Sequence, residues 1–410
     1  MKFNIITLGC KVNSYESNFM KEALVKNGFS FCNLNEKCDI LILNTCTVTD
    51  TSDKKSLKEV RRLKRENPNA ILVVCGCSVQ NDKTKYDDLG INILMGNINK
   101  SNIVNIIEKY LDDKTPVEYV AKTRDLPFEN MEVDISDHTR AYIKIEDGCD
   151  NFCSYCIIPF VRGKKRSKDF SLVLREVQHL ANNGYKEIVL TGIDTGGYES
   201  NDKDLTDLIC EMSKINGIER IRQSSIEITQ INDKFIEELK NNNKICDHIH
   251  IPLQSGSDSI LKLMNRKYDL KYFFDKIDMI RSVRPDISIT TDVIVGFPGE
   301  TEEMFLETME TCKKINFSKI HAFPYSERKG TKASMMDGKV PESVKHERVK
   351  KLLELSDSLE KSYYDKFKGK KLDVLIEEVS ESGSKGHTSN YLMVHTNEKL
   401  QKGEIYNLIV

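Results

Sequence analysis

No part of this 410-residue sequence approaches the roughly 18 consecutive apolar residues that a membrane-spanning helix requires, so no such helix is expected. Charge of one sign is also lacking: 61 Lys and Arg stand against 63 Asp and Glu, for a net charge of −2 with 30% charged residues. Any contact with nucleic acid must therefore use local patches rather than a general field. No secretory leader is expected either, because Met1-Lys2-Phe3-Asn4-Ile5-Ile6 runs directly into a strand-like segment. Together with twelve Cys, these absences point to a reducing cytoplasm where thiols serve metals rather than disulfides. The length allows two or three domains with cores of their own.

What is present is concentrated in Glu146-Asp147-Gly148-Cys149-Asp150-Asn151-Phe152-Cys153-Ser154-Tyr155-Cys156. Three sulfurs in a C-x3-C-x2-C run can converge on one metal centre, yet they leave a four-iron cluster one ligand short. An iron with an open site can bind a substrate or cofactor, whereas complete four-cysteine sites suit electron transfer. A disulfide or a structural zinc loop is the competing reading; zinc prefers four closed ligands.

Residues 3 to 110 alternate short apolar runs (Phe3 to Leu8, Asp39 to Leu43, Ala70 to Val74, Ile91 to Leu94) with helix-like stretches, the pattern of an open parallel α/β domain. Cys10, Cys46 and Cys77 fall at the ends of the first three runs. Sites gather at the carboxyl ends of such strands, so the three thiols can meet although far apart in sequence. Small buried hydrophobes are the alternative for each. Cys77 is preferred to Cys75 because Gly76-Cys77 repeats Gly9-Cys10; Cys32 and Cys38 read as core or surface residues. Seven Lys or Arg between Asp53 and Glu66 read as a solvated helix face before a phosphate-facing one. Residues 1–112 form this domain and 113–138 a linker.

Over 139–340 strand candidates (Ala141 to Ile145, Glu187 to Leu190, Arg220 to Ile226, His248 to Leu253, Ile287 to Val295, Lys319 to Phe323) alternate with helical stretches, which implies a partial (β/α)6 barrel. Polar and glycine-rich residues follow the strands, where barrel chemistry is done. Arg162-Gly163-Lys164-Lys165-Arg166-Ser167-Lys168 places five cations beside the cysteine loop and reads as a contact to RNA phosphate or a cofactor carboxylate. A connecting helix over 341–366 leads to short strands over 367–410 with turn residues Gly383, Gly386 and Gly403, expected to form a small β-barrel.

Cys149, Cys153 and Cys156, with Tyr155 before the last, resemble the radical S-adenosylmethionine (SAM) signature, and the barrel is then a radical SAM barrel. Leu8-Gly9-Cys10-Lys11-Val12-Asn13-Ser14-Tyr15-Glu16 and Asn44-Thr45-Cys46-Thr47-Val48-Thr49 resemble the N-terminal domain of the methylthiotransferases, closest in wording to the branch acting on threonylcarbamoyladenosine in tRNA. The C-terminal segment resembles their RNA-binding TRAM domain. The resemblance implies two [4Fe-4S] clusters, one on Cys10, Cys46 and Cys77 and one on Cys149, Cys153 and Cys156. At the barrel mouth the backbone edges of Gly192 and Gly296 and the polar groups of Ser225 and Gln254 suit SAM; the resemblance adds Tyr155 against its adenine and Thr191-Gly192 near its amine, and implies conversion of N6-threonylcarbamoyladenosine beside the anticodon to its 2-methylthio derivative. A low-potential electron donor of flavodoxin or ferredoxin type and a sulfur donor are implied partners. The Ser224-Ser225-Ile226-Glu227-Ile228 wording departs from relatives, which have Pro after the Glu, and leaves the role of Glu227 open. Three alternatives stand: the same chemistry on isopentenyladenosine, the same on a ribosomal protein, or a two-cluster electron-transfer protein that binds RNA without modifying it.

Overall fold

The N-terminal apolar runs become β1 (Lys2–Thr7), β3 (Ile40–Thr45), β4 (Ile71–Gly76) and β5 (Ile93–Met95), and two short strands, β2 (Ser30–Phe31) and β6 (Val117–Tyr119), complete a parallel sheet in the order β2-β1-β3-β4-β5-β6. This is a computed structural model, and it describes residues 1–33 and 36–410. Helices α1 (Lys11–Lys26), α2 (Asp50–Glu66), α3 (Cys77–Asn81) and α4 (Ile103–Asp113) connect the strands. Alternate residues of β3 and β4 enter two separate cores: Ile40, Ile42 and Val73 on one face, Leu41, Leu43, Leu72 and Val74 on the other. That division explains why these strands read as continuous apolar runs rather than as alternating ones. The solvated reading of α2 agrees with its ion pairs, Arg62 to Glu59 and Glu66 and Lys54 to Asp50.

The chain forms two compact units, one of Met1–Ile135, Glu146–Phe152 and Cys156–Lys168, the other of Ser136–Ile145, Cys153–Tyr155 and Asp169–Val410. Much of the expected linker is built into the first. Val117–Tyr119 pairs with β5 as a strand too short to show periodicity. The Met131 and Ile135 carbonyls accept hydrogen bonds from Tyr15 and Asn18 of α1. Cys32 and Cys38 are joined as a disulfide rather than standing as separate side chains.

In the second unit six strands (Ala141–Lys144, Glu187–Thr191, Arg220–Gln223, His248–His250, Ser288–Val295 and Lys319–Pro324) pair in parallel as two three-stranded sheets, with isolated bridges Ile221 to Ile245 and Ser225 to His250 continuing from the third strand to the fourth. Helices over Phe170–Asn182, Leu205–Ser213, Asp233–Asn241, Leu270–Val283 and Glu302–Ile315 cover the outer face. Ile188, Leu190, Ile221, Ile249, Ile289 and Val293 bury into their shared core. Side-chain caps from Asp169, Asp204, Asn232, Asp269 and Thr301 start those five helices, each satisfying amides the helix leaves open. The helix Glu342–Asp365 packs against the sixth strand, with Ser356 bonded to Ile320. A four-stranded antiparallel sheet of Lys371–Ser380, Gly383–Thr388, Met393–Thr396 and Ile405–Ile409 ends the chain. Gly383 and Gly386 lie within its second strand rather than in turns. At Gly386 a Cβ would meet the Leu375 carbonyl at 1.8 Å, so glycine is there for close backbone approach.

Candidate functional site

Cys10, Cys46 and Cys77 lie just beyond the carboxyl ends of three neighbouring strands, β1, β3 and β4, whose last residues pair Thr7 with Asn44 and Thr45 with Gly76. Cys10 immediately precedes α1 without a side-chain capping bond, and Cys77 is the first residue of α3. The approach is close. At Gly9, φ +100°, an added Cβ would lie 2.6 Å from the Cys46 Cβ, and at Gly76, φ +105°, one would lie 2.6 Å from the Thr45 carbonyl oxygen. Asn13 fastens two of the three strand ends, its amide donating to the Leu8 and Thr45 carbonyls at 2.7 and 2.9 Å. Burial, reinforced by like charge on Cys77 and Cys10, pushes the Cys46 thiol up to about 11. Three thiolates gathered here require positive charge among them, which suits an iron-sulfur cluster. Cys75, by contrast, is wholly buried in the sheet core, where burial raises its thiol to about 12.

Around this triad runs a dry ionic network that sequence reading missed. Arg162, completely buried, donates to Glu16 (2.9 Å), Asp147 (3.0 Å) and the Asn13 side-chain oxygen (2.9 Å). Glu16 also pairs with buried Lys100, whose ammonium reaches Asn44 at 3.3 Å. Arg162 acts electrostatically on Cys10. Asn13 and Glu16, both in the Leu8 to Glu16 stretch, thus order Arg162 and the strand ends. The five-cation run proves mostly inward: Arg162 is buried, Arg166 pairs with Asp147 at 3.1 Å, and buried Lys168 donates to the Met131 carbonyl. Lys164 remains exposed and pairs with Asp125. Burial of a cation needs partners, and periodicity does not reveal them.

In the cysteine loop, Cys149 accepts from the Asn151 amide at 3.4 Å while its own amide donates to Gly163. At Gly148 a Cβ would collide with the Lys164 carbonyl at 2.1 Å. Ser154 is anchored by its amide to Met264 and by its hydroxyl to Leu263. Tyr155 packs against the cluster of Ile260, Met264, Phe297, Tyr325 and Ala333. Arg266, another residue without a local signal, donates to the Cys153 sulfur at 3.3 Å, forms an ion pair with Glu227 and lies 5.0 Å above the Tyr268 ring. Glu227 thus orients the guanidinium beside Cys153, and burial raises its carboxyl although Arg266 opposes the shift.

The remaining candidates stand at consecutive strand ends. Thr191 closes the second strand and Gly192 follows it; the Ser225 carbonyl accepts from Thr195 at 2.6 Å. Gln254, in the left-handed region at φ 66°, bridges to Val293 of the fifth strand. At Gly296, φ +71°, the side-chain direction is taken by the protein: a Cβ would lie 2.3 Å from Cγ of Lys345 on the helix Glu342–Asp365. The Gly296 amide donates to Glu300 at 2.5 Å, which also pairs with Arg348 at 2.6 Å. Glycine at 296 is accounted for by this helix contact.

Residues 143–312 match the Radical SAM superfamily, and residues 2–96 match the uncharacterized protein family UPF0004. The chain is 42% identical over 399 residues to Threonylcarbamoyladenosine tRNA methylthiotransferase MtaB of Bacillus subtilis, covering 95% of this chain and 88% of that protein. It is 34% identical to tRNA-2-methylthio-N(6)-dimethylallyladenosine synthase of Clostridium perfringens, covering 99% and 94%. Among solved structures, the radical S-adenosylmethionine methyltransferase TsrM of Kitasatospora setae superposes with a TM-score of 0.59 at 12% identity over 78% of this chain and 72% of that one, a likeness of fold. With two cysteine triads in the matched regions and full-length relatives at this identity, the chain belongs to the radical SAM methylthiotransferase family.

Proposed function

We propose that this protein is a tRNA methylthiotransferase that converts N6-threonylcarbamoyladenosine beside the anticodon to its 2-methylthio derivative. The observation that carries the reading is the pair of cysteine triads, one gathered at strand ends and one in a single loop, in a chain whose full-length relatives include Threonylcarbamoyladenosine tRNA methylthiotransferase MtaB. The cofactors are SAM and two [4Fe-4S] clusters. When bound, they supply radical hydrogen abstraction at carbon 2, a sulfur and a methyl group.

The chain's own residues hold and orient. In this reading Cys149, Cys153 and Cys156 hold one cluster, and Cys10, Cys46 and Cys77 hold the other. Arg266 lies beside the Cys153 sulfur, where its positive charge favours the thiolate, and Glu227 keeps it aimed. Arg162 performs the corresponding task near Cys10 while excluding water. Tyr155, Thr191, Gly192, Ser225, Gln254 and Gly296 take SAM contacts; Lys345 fills the side-chain direction at Gly296, which leaves that contact to the backbone. A low-potential flavodoxin or ferredoxin supplies electrons, a separate donor renews the sulfur, and the tRNA substrate places the enzyme in the cytoplasm. Among the described residues no helix is long and apolar enough to cross a membrane.

The test is anaerobic incubation of reconstituted protein, SAM and reductant with threonylcarbamoylated and with isopentenylated tRNA, followed by nucleoside mass spectrometry. Methylthio product from the first alone is expected. Product from the second alone would move the substrate, and cluster-loaded protein releasing neither product nor deoxyadenosine would overturn the enzyme reading.

A further inference from the structure

Phe152 and Phe160 flank the last two cysteines of the loop, and both are exposed, at 47% and 57%, with ring centroids 6.2 Å apart in an edge-to-face arrangement. Phe152 has φ 47°, in the left-handed region where a side chain with a Cβ is strained. Gly or Asn would make the same turn at lower cost, so the turn alone does not account for a Phe. Strain together with an aromatic ring held in water marks a position retained for what the ring contacts.

The two rings border a groove of about 420 Å³, inside the range of about 300–1,000 Å³ typical of small-ligand sites. Pro159 extends its apolar floor, and Lys122, Arg124 and Lys164 supply positive charge; no carboxylate is among the lining residues. Lys164 pairs with Asp125 at 2.9 Å, but both side chains are more than half exposed, and such a pair yields readily to a competing anion. Aromatic faces for bases beside cations for phosphates are what a single-stranded nucleic acid requires.

We infer that this groove binds an unpaired nucleotide of the tRNA loop adjacent to the modified one, stacking its base on Phe152 or Phe160 and holding its phosphate with Lys122, Arg124 and Lys164. The inference rests on the tRNA reading above and adds a location for substrate recognition, in the first unit next to the cysteine loop.

The experiment uses the cluster-loaded full chain and an anticodon stem-loop RNA carrying 2-aminopurine in its loop. Binding should quench the fluorophore. Phe160→Ala should weaken binding by about five- to 150-fold, the range for removing one stacked base, and Phe160→Tyr should bind as the parent does. Phe152→Asn, which keeps the left-handed turn and removes the ring, should fall in the same range with iron content retained. Lys122→Glu combined with Lys164→Glu should flatten the plot of log affinity against log salt by about 0.7 for each phosphate no longer neutralised. Parent-like binding and quenching by Phe160→Ala and Phe152→Asn would overturn the groove while leaving the enzyme reading intact. Failure of the parent chain to bind the RNA would overturn both. A defect confined to turnover with a protein reductant, with RNA affinity unchanged, would also overturn the inference and make the groove a protein-docking surface.

Discussion

The two cysteine triads are built in opposite ways. Cys149, Cys153 and Cys156 occupy eight consecutive residues, so their proximity is a property of the local chain. Cys10, Cys46 and Cys77 span 68 positions and are brought together by the parallel order of β1, β3 and β4. Each has a buried arginine close by, and each arginine is held by a glutamate: Arg162 by Glu16, Arg266 by Glu227. The comparison teaches that sulfur spacing can be local or tertiary, whereas the charge that steadies the sulfurs comes from tertiary structure in both cases.

The largest effects should come from separating the triads. Cys153→Ala is expected to abolish both deoxyadenosine release and methylthio product, whereas Cys46→Ala should abolish product but leave deoxyadenosine release. Iron analysis should find about four of eight irons missing in each; unchanged iron in Cys46→Ala would break the contrast.

A smaller but substantial effect should follow from removing one half of a buried ion pair. Arg266 is 3% exposed at its side chain and Glu227 20%, and an uncompensated buried charge costs about 3–5 kcal/mol. Glu227→Ala should therefore lower stability by that order in urea unfolding. A change below about 1 kcal/mol would place the pair with exposed salt bridges and remove the likeness to Arg162.

The smallest effect concerns Glu300, which anchors the turn after the fifth barrel strand. Burial raises its carboxyl above the ordinary carboxylate value, with the Gly296 amide and Arg348 opposing. A raised folded value means that its contribution to stability is fully present below the unfolded value and is lost as pH rises through the folded one. Unfolding midpoints of the parent should show this decline just above the ordinary carboxylate range, and Glu300→Gln should flatten it. An unaltered slope would show that Glu300 does not titrate differently on folding.

The barrel was the most legible part of the chain. All six expected strands formed within a few residues of their expected limits, with helices between them, because each strand carries an apolar run and each helix begins at a capping residue. Val117–Tyr119 was not legible, since three residues set no period and gain their place by pairing with β5. Gly386 misled because a glycine that makes a turn and one that lets two strands approach look alike in sequence. Arg162 and Lys168 misled for a related reason: a basic run looks available to RNA phosphate or a cofactor carboxylate until Glu16, Asp147 and the Met131 carbonyl are found around it. At Gly296 the neighbour that excludes a side chain is Lys345, 49 residues away and without a local signal.

By itself the sequence determined the α/β class and the order of the elements and marked the candidate sulfurs, because periodicity, caps and short cysteine motifs act over a few residues. Only the tertiary structure decided which arginines are buried beside the thiols and which cations of the basic run face water. Those outcomes depend on desolvation and on partners distant in sequence: a buried charge is tolerated only where opposite charge and hydrogen-bond acceptors converge on it, and that convergence exists only once the chain has folded.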